Sequence, residues 1–215
     1  MIMQMDPEVV AAVVTSLYTS LTAILIAAAI GIPCGAAIGM QQFPGKRAMV
    51  TLLNTMMALP TVVIGLLLFG LFSRQGPLGP LGLLFTPWAM IAGQVVLSVP
   101  IVANYTLSAI AGADQRILPT ALTLGAGRLH GTWQLLLEVR FGIMAAIVAG
   151  LGRVIAEVGV AMMLGGNIRG STRTMTTAIA LETSKGEFAF GLALGIVLMG
   201  VALAINLFLN LIQQR

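Results

Sequence analysis

ADQRILPTALTLGAGRLHGTWQLLLEVR, residues Ala113 to Arg140, is the stretch on which the fold turns. It carries Asp114, Arg116, Arg128, Glu138 and Arg140, yet it lies between two very apolar blocks. Gln75 to Ala113 contains no Asp, Glu, Lys or Arg, and Phe141 to Gly166 contains only Arg153 and Glu157. A wet segment between apolar blocks is a loop at a membrane boundary. Within it, Ile117 to Leu124 has helical apolar spacing, Gly125-Ala126-Gly127 breaks the pattern, and Leu129, Trp133, Leu136 and Leu137 resume it. The spacing predicts a helix, a glycine turn and a second helix, a form suited to being read by something soluble.

Composition supports the membrane reading. Hydrophobic residues make up 58% and charged residues 8% of the 215, with a mean hydropathy of +1.01, whereas about a quarter of the residues of a soluble domain are charged. The chain therefore reads as an all-α integral membrane protein of about five transmembrane helices, in one domain over residues 1–215 with no room for a soluble one. The net charge of +4 comes from basic residues in loops between apolar blocks. That pattern sets topology and points to membrane lipid, not nucleic acid. Cys34 is the only cysteine and His130 the only histidine, so neither a disulfide nor a Cys/His metal cage is expected.

Taken in order, Met1 to Val10 lacks the basic head of a signal peptide, so this segment is expected to stay in the protein. Asp6 reads as an N-cap ahead of Pro7 and Glu8, opening a first span to about Met40 that is tilted or broken near Gly31-Ile32-Pro33. Ala48 to Ser73 reads as a second span, kinked at Pro60, and Arg74 to Pro87 as a turn-rich connection. A third span runs from Thr86 and Pro87 to about Gly112, a fourth from Phe141 to Gly165, and a fifth from Phe188 to Ile212. Between the last two lies a second polar loop, Gly166 to Glu187, with a short helical pattern over Met175 to Leu181. Five spans place Lys46, Arg47, Arg116, Arg128, Arg140 and Arg215 on one side, against Arg74, Arg169, Arg173 and Lys185 on the other. The positive-inside rule then puts the 114–140 loop and the C-terminus in the cytoplasm and the N-terminus outside.

No phosphate-binding GxxxxGK[ST] loop and no acid/base or metal cluster is present, so the chain is not expected to be an enzyme or to bind a cofactor itself. The thirteen methionines read as packing residues. Arg153 and Glu157 stand one helical turn apart in the fourth span, where each ion alone would cost about 2.5 to 3.5 kcal/mol; they should pair, either to hold the packing or at a path or gate. In the 166–187 loop, Asn167, Arg169, Ser171, Thr172, Arg173 and Thr174 gather donors able to meet a tetrahedral dianion or a docking protein. Asn54, Gln94, Asn104, Asn206 and Asn210 read mainly as interhelical hydrogen-bonding groups.

The run Thr120-Ala121-Leu122-Thr123-Leu124-Gly125-Ala126 resembles the cytoplasmic signature of ABC-transporter permeases, in which Glu-Ala-Ala is followed by Gly and, further on, by apolar residues and Pro. Ala121 and Gly125 match it, with Leu135 and Leu137 at the apolar positions; Pro119, Thr120 and Glu138 depart from it. MALPTVVIGLLLFGLFSRQGPLG (Met57 to Gly79) and GRVIAEVGVAMMLGGNIRGSTRTMTTAIALETSKGEF (Gly152 to Phe188) resemble the permeases for tungstate, molybdate and sulfate, and are closest to the tungstate branch. The resemblance implies a type I ABC importer permease fold and a second copy of the chain with the path along the dimer axis. It also implies a cytoplasmic ATPase that holds ATP and Mg and receives the 114–140 loop, and an extracytoplasmic oxyanion-binding protein. The competing reading is a self-sufficient anion channel or ion-coupled carrier. That reading asks for inverted repeats or further intramembrane ionisable groups, and the sequence has neither.

Overall fold

A computed structural model describes residues 7–114 and 116–213; the cap assigned to Asp6, the Gln214-Arg215 end and the side chain of Asn210 lie outside what it describes. Its first helix, α1 (Pro7–Met40), is continuous through Pro33, so of the ways such a long helix could be accommodated, projection of its first turns, tilt or a break near Gly31 to Pro33, the break does not occur. At 1.5 Å per residue it is about 50 Å long, well beyond a hydrocarbon core of about 30 Å. The proline removes one backbone hydrogen bond, but the helix is clamped on both sides of it. Gly31, Gly35 and Gly39 lie in turn against Val102, Ala103 and Ile110 of α4 (Pro87–Ala111), and a Cβ on Gly35 would stand 2.3 Å from the Ala103 carbonyl oxygen. Only glycine lets the two backbones approach so closely. The contacts advance together along both chains, so α1 and α4 run parallel.

The expected second span is two helices. α2 (Lys46–Ala58) and α3 (Thr61–Phe72) meet at 95°, a sharper event than the kink expected at Pro60. Pro60 forces Leu59 out of the helical region, to φ −63°, ψ 137°, because its ring clashes with a helical predecessor. Pro60 is itself extended at ψ 127°. α2 buries none of its residues; the Asn104 amide of α4 donates to Asn54 Oδ1 across 2.8 Å, as the interhelical reading of these two residues required. The connection that follows is turns and a short 3-10 segment at Gly79–Leu81. Thr86 then caps α4, its Oγ1 accepting the Ala89 N–H, with Pro87 at the first helical position.

The Ala113 to Arg140 stretch folds as expected into α5 (Ile117–Thr123), a glycine turn and α6 (Arg128–Glu138). Beyond it, the fourth span is also interrupted. α7 (Arg140–Ile155) stops, and α8 (Gly159–Gly165) starts after a gap at Ala156 to Val158. α9 (Met175–Ser184) fills much of the second polar loop, and α10 (Phe188–Gln213) closes the chain. Three of these helices are long and apolar enough to cross a membrane alone, and two bent pairs raise the number of candidate spans to as many as five.

Three apolar clusters stack along the bundle. Ile24, Ala27, Val102, Ala146, Leu151 and Val154 pack at its centre. Ile64, Phe72, Ala89, Leu97, Val160 and Leu164 pack at one end, Ala36, Ile110, Leu135 and Val139 at the other. The first end gathers the start of α1, the 74–86 connection and the 166–174 segment: the Phe85 N–H donates to the Leu164 carbonyl, and Glu8 pairs with Arg169. The second gathers the end of α1, the end of α4 and the α5–α6 hairpin. This is the alternation of loops that a five-span reading demands.

Candidate functional site

Glu157 sits in the gap between α7 and α8 and ties three elements together. Its Oε1 accepts the Val160 N–H at 3.1 Å, satisfying a donor of the first turn of α8. Its Oε2 is 3.5 Å from Arg153 Nη1 in the last turn of α7. Its backbone carbonyl accepts the Thr176 hydroxyl of α9 at 2.8 Å. Next to it, α9 opens with a reciprocal capping box between Thr174 and Thr177, and the Met175 N–H donates to Ser16 Oγ of α1 at 2.8 Å. The α2–α3 break reaches the same place: a Cβ on Gly159 would lie 3.0 Å from Thr61 Oγ1 and 3.4 Å from Glu157 Oε1. Two interrupted helices and the start of a third therefore converge on one polar junction.

The junction is deep in the apolar slab. Arg153 lies about 20 Å along α7 from Arg140. Seen from the other end, Ile155 and Ala156 line a groove with Leu198 and Met199, about 15 Å along α10 from Phe188. Irregular backbone at such a depth is tolerated where it is buried in protein or lines a water-filled cavity. The expected pairing of Arg153 and Glu157 is present, although the geometry differs from two residues on one continuous helix. Glu157 is beyond the end of α7 and its side chain is 2% exposed, while that of Arg153 is 40% exposed.

The 166–187 loop divides its donors. Thr172 is fully buried, its hydroxyl donating to the Gly165 carbonyl and accepting the Ile168 N–H. Thr174 is buried in the capping box, and Asn167, at φ 51°, reaches the Thr177 carbonyl at 3.4 Å. These three serve the fold of the loop. Ser171 is exposed, and Arg169 and Arg173 both pair with Glu8. Glu8, Arg169, Gly170 and Arg173 line a cleft of about 210 Å³ with Thr15 of α1. The six donors are thus reduced to the exposed Arg169 and Ser171 and a largely buried Arg173, because threonines in a tight turn satisfy backbone first.

At the opposite end, the α5–α6 hairpin is closed by its glycine. Gly125 has φ 88°; its N–H donates to the Leu122 carbonyl, and the Ala126 N–H to that of Ala121, the doubled bond of a left-handed helix stop. Leu124 and Leu129 on either side are 83% and 89% exposed, and Leu122, Trp133 and Leu137 are exposed as well. Leu135 turns the other way and is buried against the bundle beside Ala36 and Ile110; of the two apolar positions picked out in sequence, it anchors the hairpin and Leu137 is presented. Thr120 is exposed and Ala126 half-buried. Before α5, the Arg116 side chain and then its backbone N–H hold the Asp114 carboxyl below its ordinary value, against a smaller opposing effect of burial, and Asp114 in turn raises Arg116.

The described residues thus form a bundle of broken apolar helices with an internal ion pair, arginines at one end and a projecting apolar hairpin at the other. The family model of the binding-protein-dependent transport system inner membrane component matches residues 31–215. The chain belongs to that family. It is a multi-pass inner-membrane permease subunit, and ATP hydrolysis belongs to a separate chain. Among its relatives, a probable anion ABC transporter permease protein of Haloferax volcanii is 40% identical over 196 residues, 89% of this chain and 84% of that one. The tungstate uptake system permease protein TupB of Peptoclostridium acidaminophilum is 37% identical over 100% of this chain and 94% of its own. Its counterpart in Campylobacter jejuni is 38% identical over 94% and 84%. The permease family works with an ATPase and a substrate-binding protein.

Sequence reading missed Ser16, Thr61, Thr176 and Glu8 as members of these sites. Thr15, Ser16, Thr19 and Ser20 recur at helical spacing in an otherwise apolar run. That was the available sign that α1 presents a polar stripe to the interior, where Ser16, Thr19 and Ser20 are all buried.

Proposed function

We propose that this permease passes a tetrahedral oxyanion, tungstate, from an extracytoplasmic binding protein to the cytoplasm by alternating access. The observation that carries the substrate is the similarity, along essentially the whole chain, to proteins named for tungstate uptake. The chemistry agrees with it: the cations paired with Glu8 and inside the bundle are arginines, whose planar donor forks suit tetrahedral dianions. Two copies of the chain form the path between them, which gives Arg153 an aqueous surface and leaves the large apolar side chains of α10 to lipid. The Glu8 end faces outward to the binding protein, and the α5–α6 hairpin and C-terminus face the cytoplasm. There the hairpin, through Thr120, Ala121, Leu124, Gly125, Ala126 and Leu137, docks on an ATPase that binds ATP and Mg, while Leu135 holds it to the bundle.

Movement of the ATPase pushes a hairpin whose α6 joins α7 directly at Val139, so the displacement reaches the Arg153–Glu157 junction along one rigid helix. The test is reconstitution of the permease with its ATPase and binding protein in vesicles. ATP-dependent tungstate uptake that requires all three components is the expected result. Uptake that proceeds with the ATPase inactivated overturns the reading in favour of a carrier or channel, and uptake competed more strongly by molybdate or sulfate than by unlabelled tungstate reassigns the substrate.

A further inference from the structure

The Arg153–Glu157 pair is lopsided in a way that a purely structural ion pair need not be. Glu157 is fully committed: it is buried, one carboxylate oxygen is held by the Val160 N–H, and its carbonyl is held by Thr176. Arg153 is not. Its contact with Glu157, at 3.5 Å, is longer than the 2.7 to 2.9 Å of a strong charge-assisted bond. A guanidinium has five N–H donors, and this one keeps 40% of its side chain open at a depth where an open charge facing lipid is disfavoured. Beside it, Gly152 of α7 and Ala156 of the gap are small and exposed, and both line the groove with Leu198, Met199 and Asn206. Elsewhere along α10 the outward residues are Leu192, Ile196 and Leu203. The open side of Arg153 is therefore bordered on its own segment by small residues.

We propose that the Arg153 guanidinium is a transient ligand for the oxyanion inside the path, and that Glu157 is its positioning residue. The inference rests on the oxyanion-importer reading and adds the contact within it. Two N–H groups of Arg153 on its open edge can take two oxygens of a tetrahedral dianion, while Glu157 holds the guanidinium from behind. The carboxylate behind it also keeps the local charge near zero, which weakens retention of a dianion that must leave again. Because Glu157 is bonded to α8 and α9 as well as to Arg153, any shift at the break between α7 and α8 re-aims that edge.

The experiment uses the complete complex in vesicles, with labelled tungstate, and compares wild type with Arg153→Gln, Glu157→Gln, the double variant and Arg153→Lys. Glutamine at 157 still accepts the Val160 N–H, so the capped break is preserved. Co-elution of the permease with its ATPase checks assembly. We expect uptake by Arg153→Gln to fall at least tenfold and the double variant to remain as low, with Arg153→Lys assembling normally but losing roughly tenfold because a point charge cannot hold two oxygens at once. If the double variant recovers uptake to within about twofold of wild type, the pair is structural and the proposal falls. If Arg153→Lys transports like wild type, the bidentate contact is refuted even where the glutamine variants fail to assemble. If wild type itself takes up no oxyanion, it is the importer reading that fails.

Discussion

Gly125→Ala separates the shape of the α5–α6 hairpin from its bulk. A Cβ at this position would meet nothing within 4 Å, so the added methyl itself costs nothing. The backbone is the constraint, because φ is +88°, a conformation that costs an L-residue roughly 1 to 2 kcal/mol. The two backbone bonds that close the turn, Gly125 N–H to Leu122 and Ala126 N–H to Ala121, depend on that conformation. The hairpin makes few contacts with the rest of the bundle beyond Ile117, Leu135 and Leu136, so the strain loosens the hairpin and leaves the bundle intact. If the ordered hairpin is what the ATPase receives, about 1 to 2 kcal/mol corresponds to an affinity loss of roughly 5- to 30-fold. Titration of the ATPase onto detergent-purified permease measures it, with Gly125→Asn as control, since asparagine tolerates left-handed backbone. The reasoning is refuted if Gly125→Ala binds like wild type, or if Gly125→Asn is as weak as Gly125→Ala.

Other consequences are more briefly stated. Leu124→Asp with Leu129→Asp, at positions more than four-fifths exposed, should leave melting of the permease within about 0.5 kcal/mol of wild type and abolish co-elution of the ATPase; retained co-elution removes this surface from the interface. Gly35→Ala should cost about 1 to 3 kcal/mol of overpacking, because the Cβ lies 2.3 Å from the Ala103 carbonyl oxygen and neither backbone can yield; an unchanged thermal midpoint would contradict the close parallel packing of α1 and α4. The Asp114–Arg116 contact has a defined pH sense. Since the folded carboxyl titrates below its ordinary 3.8, its contribution is fully present above that value and is lost only as pH falls through the lowered one. ATPase affinity should therefore be flat between about pH 5 and 8 as far as Asp114 is concerned, and a drop in that window that Asp114→Asn abolishes would be inconsistent with the pairing.

Much of the fold could be read from hydropathy and capping residues, and what could not be read has a common cause. The hairpin, the Thr86 cap, the Met175 helix and the fifth span are local matters: a glycine, a threonine before a proline or an apolar run suffices to specify them. The two breaks are not. Pro60 marks a weakness, but many membrane prolines only bend a helix; the turn here reaches 95° because Leu59 is extended as well, and Asn104 holds the freed α2 by its Asn54. The gap at Ala156 to Val158 has no proline at all. It exists because Glu157 gives its side chain to the α8 backbone and its carbonyl to Thr176, partners that only tertiary structure brings near. The same holds for the outer donors, since nothing local says that Thr172 and Thr174 are consumed by their own turn or that Glu8 will stand opposite Arg169 and Arg173.

In the proposed transport cycle, the position of the breaks decides where a push on the hairpin would be taken up. α6 and α7 form a bent pair at 69°, with Leu135 and Val139 packed on the ends of α1 and α4. A push on the hairpin therefore has two outlets: against α1 and α4, which are locked together at Gly31, Gly35 and Gly39, or along α7 to the gap at its far end. The locked pair is the stiffer. Displacement should accordingly be absorbed where the backbone is already interrupted, between Ile155 and Gly159, and passed through Thr61 to the break between α2 and α3. α2, with no buried residue and a side-chain latch to Asn104, is the element freest to swing. In the proposed cycle the long helices would serve as the frame and the short ones as the gate, with Glu157 at the hinge between them.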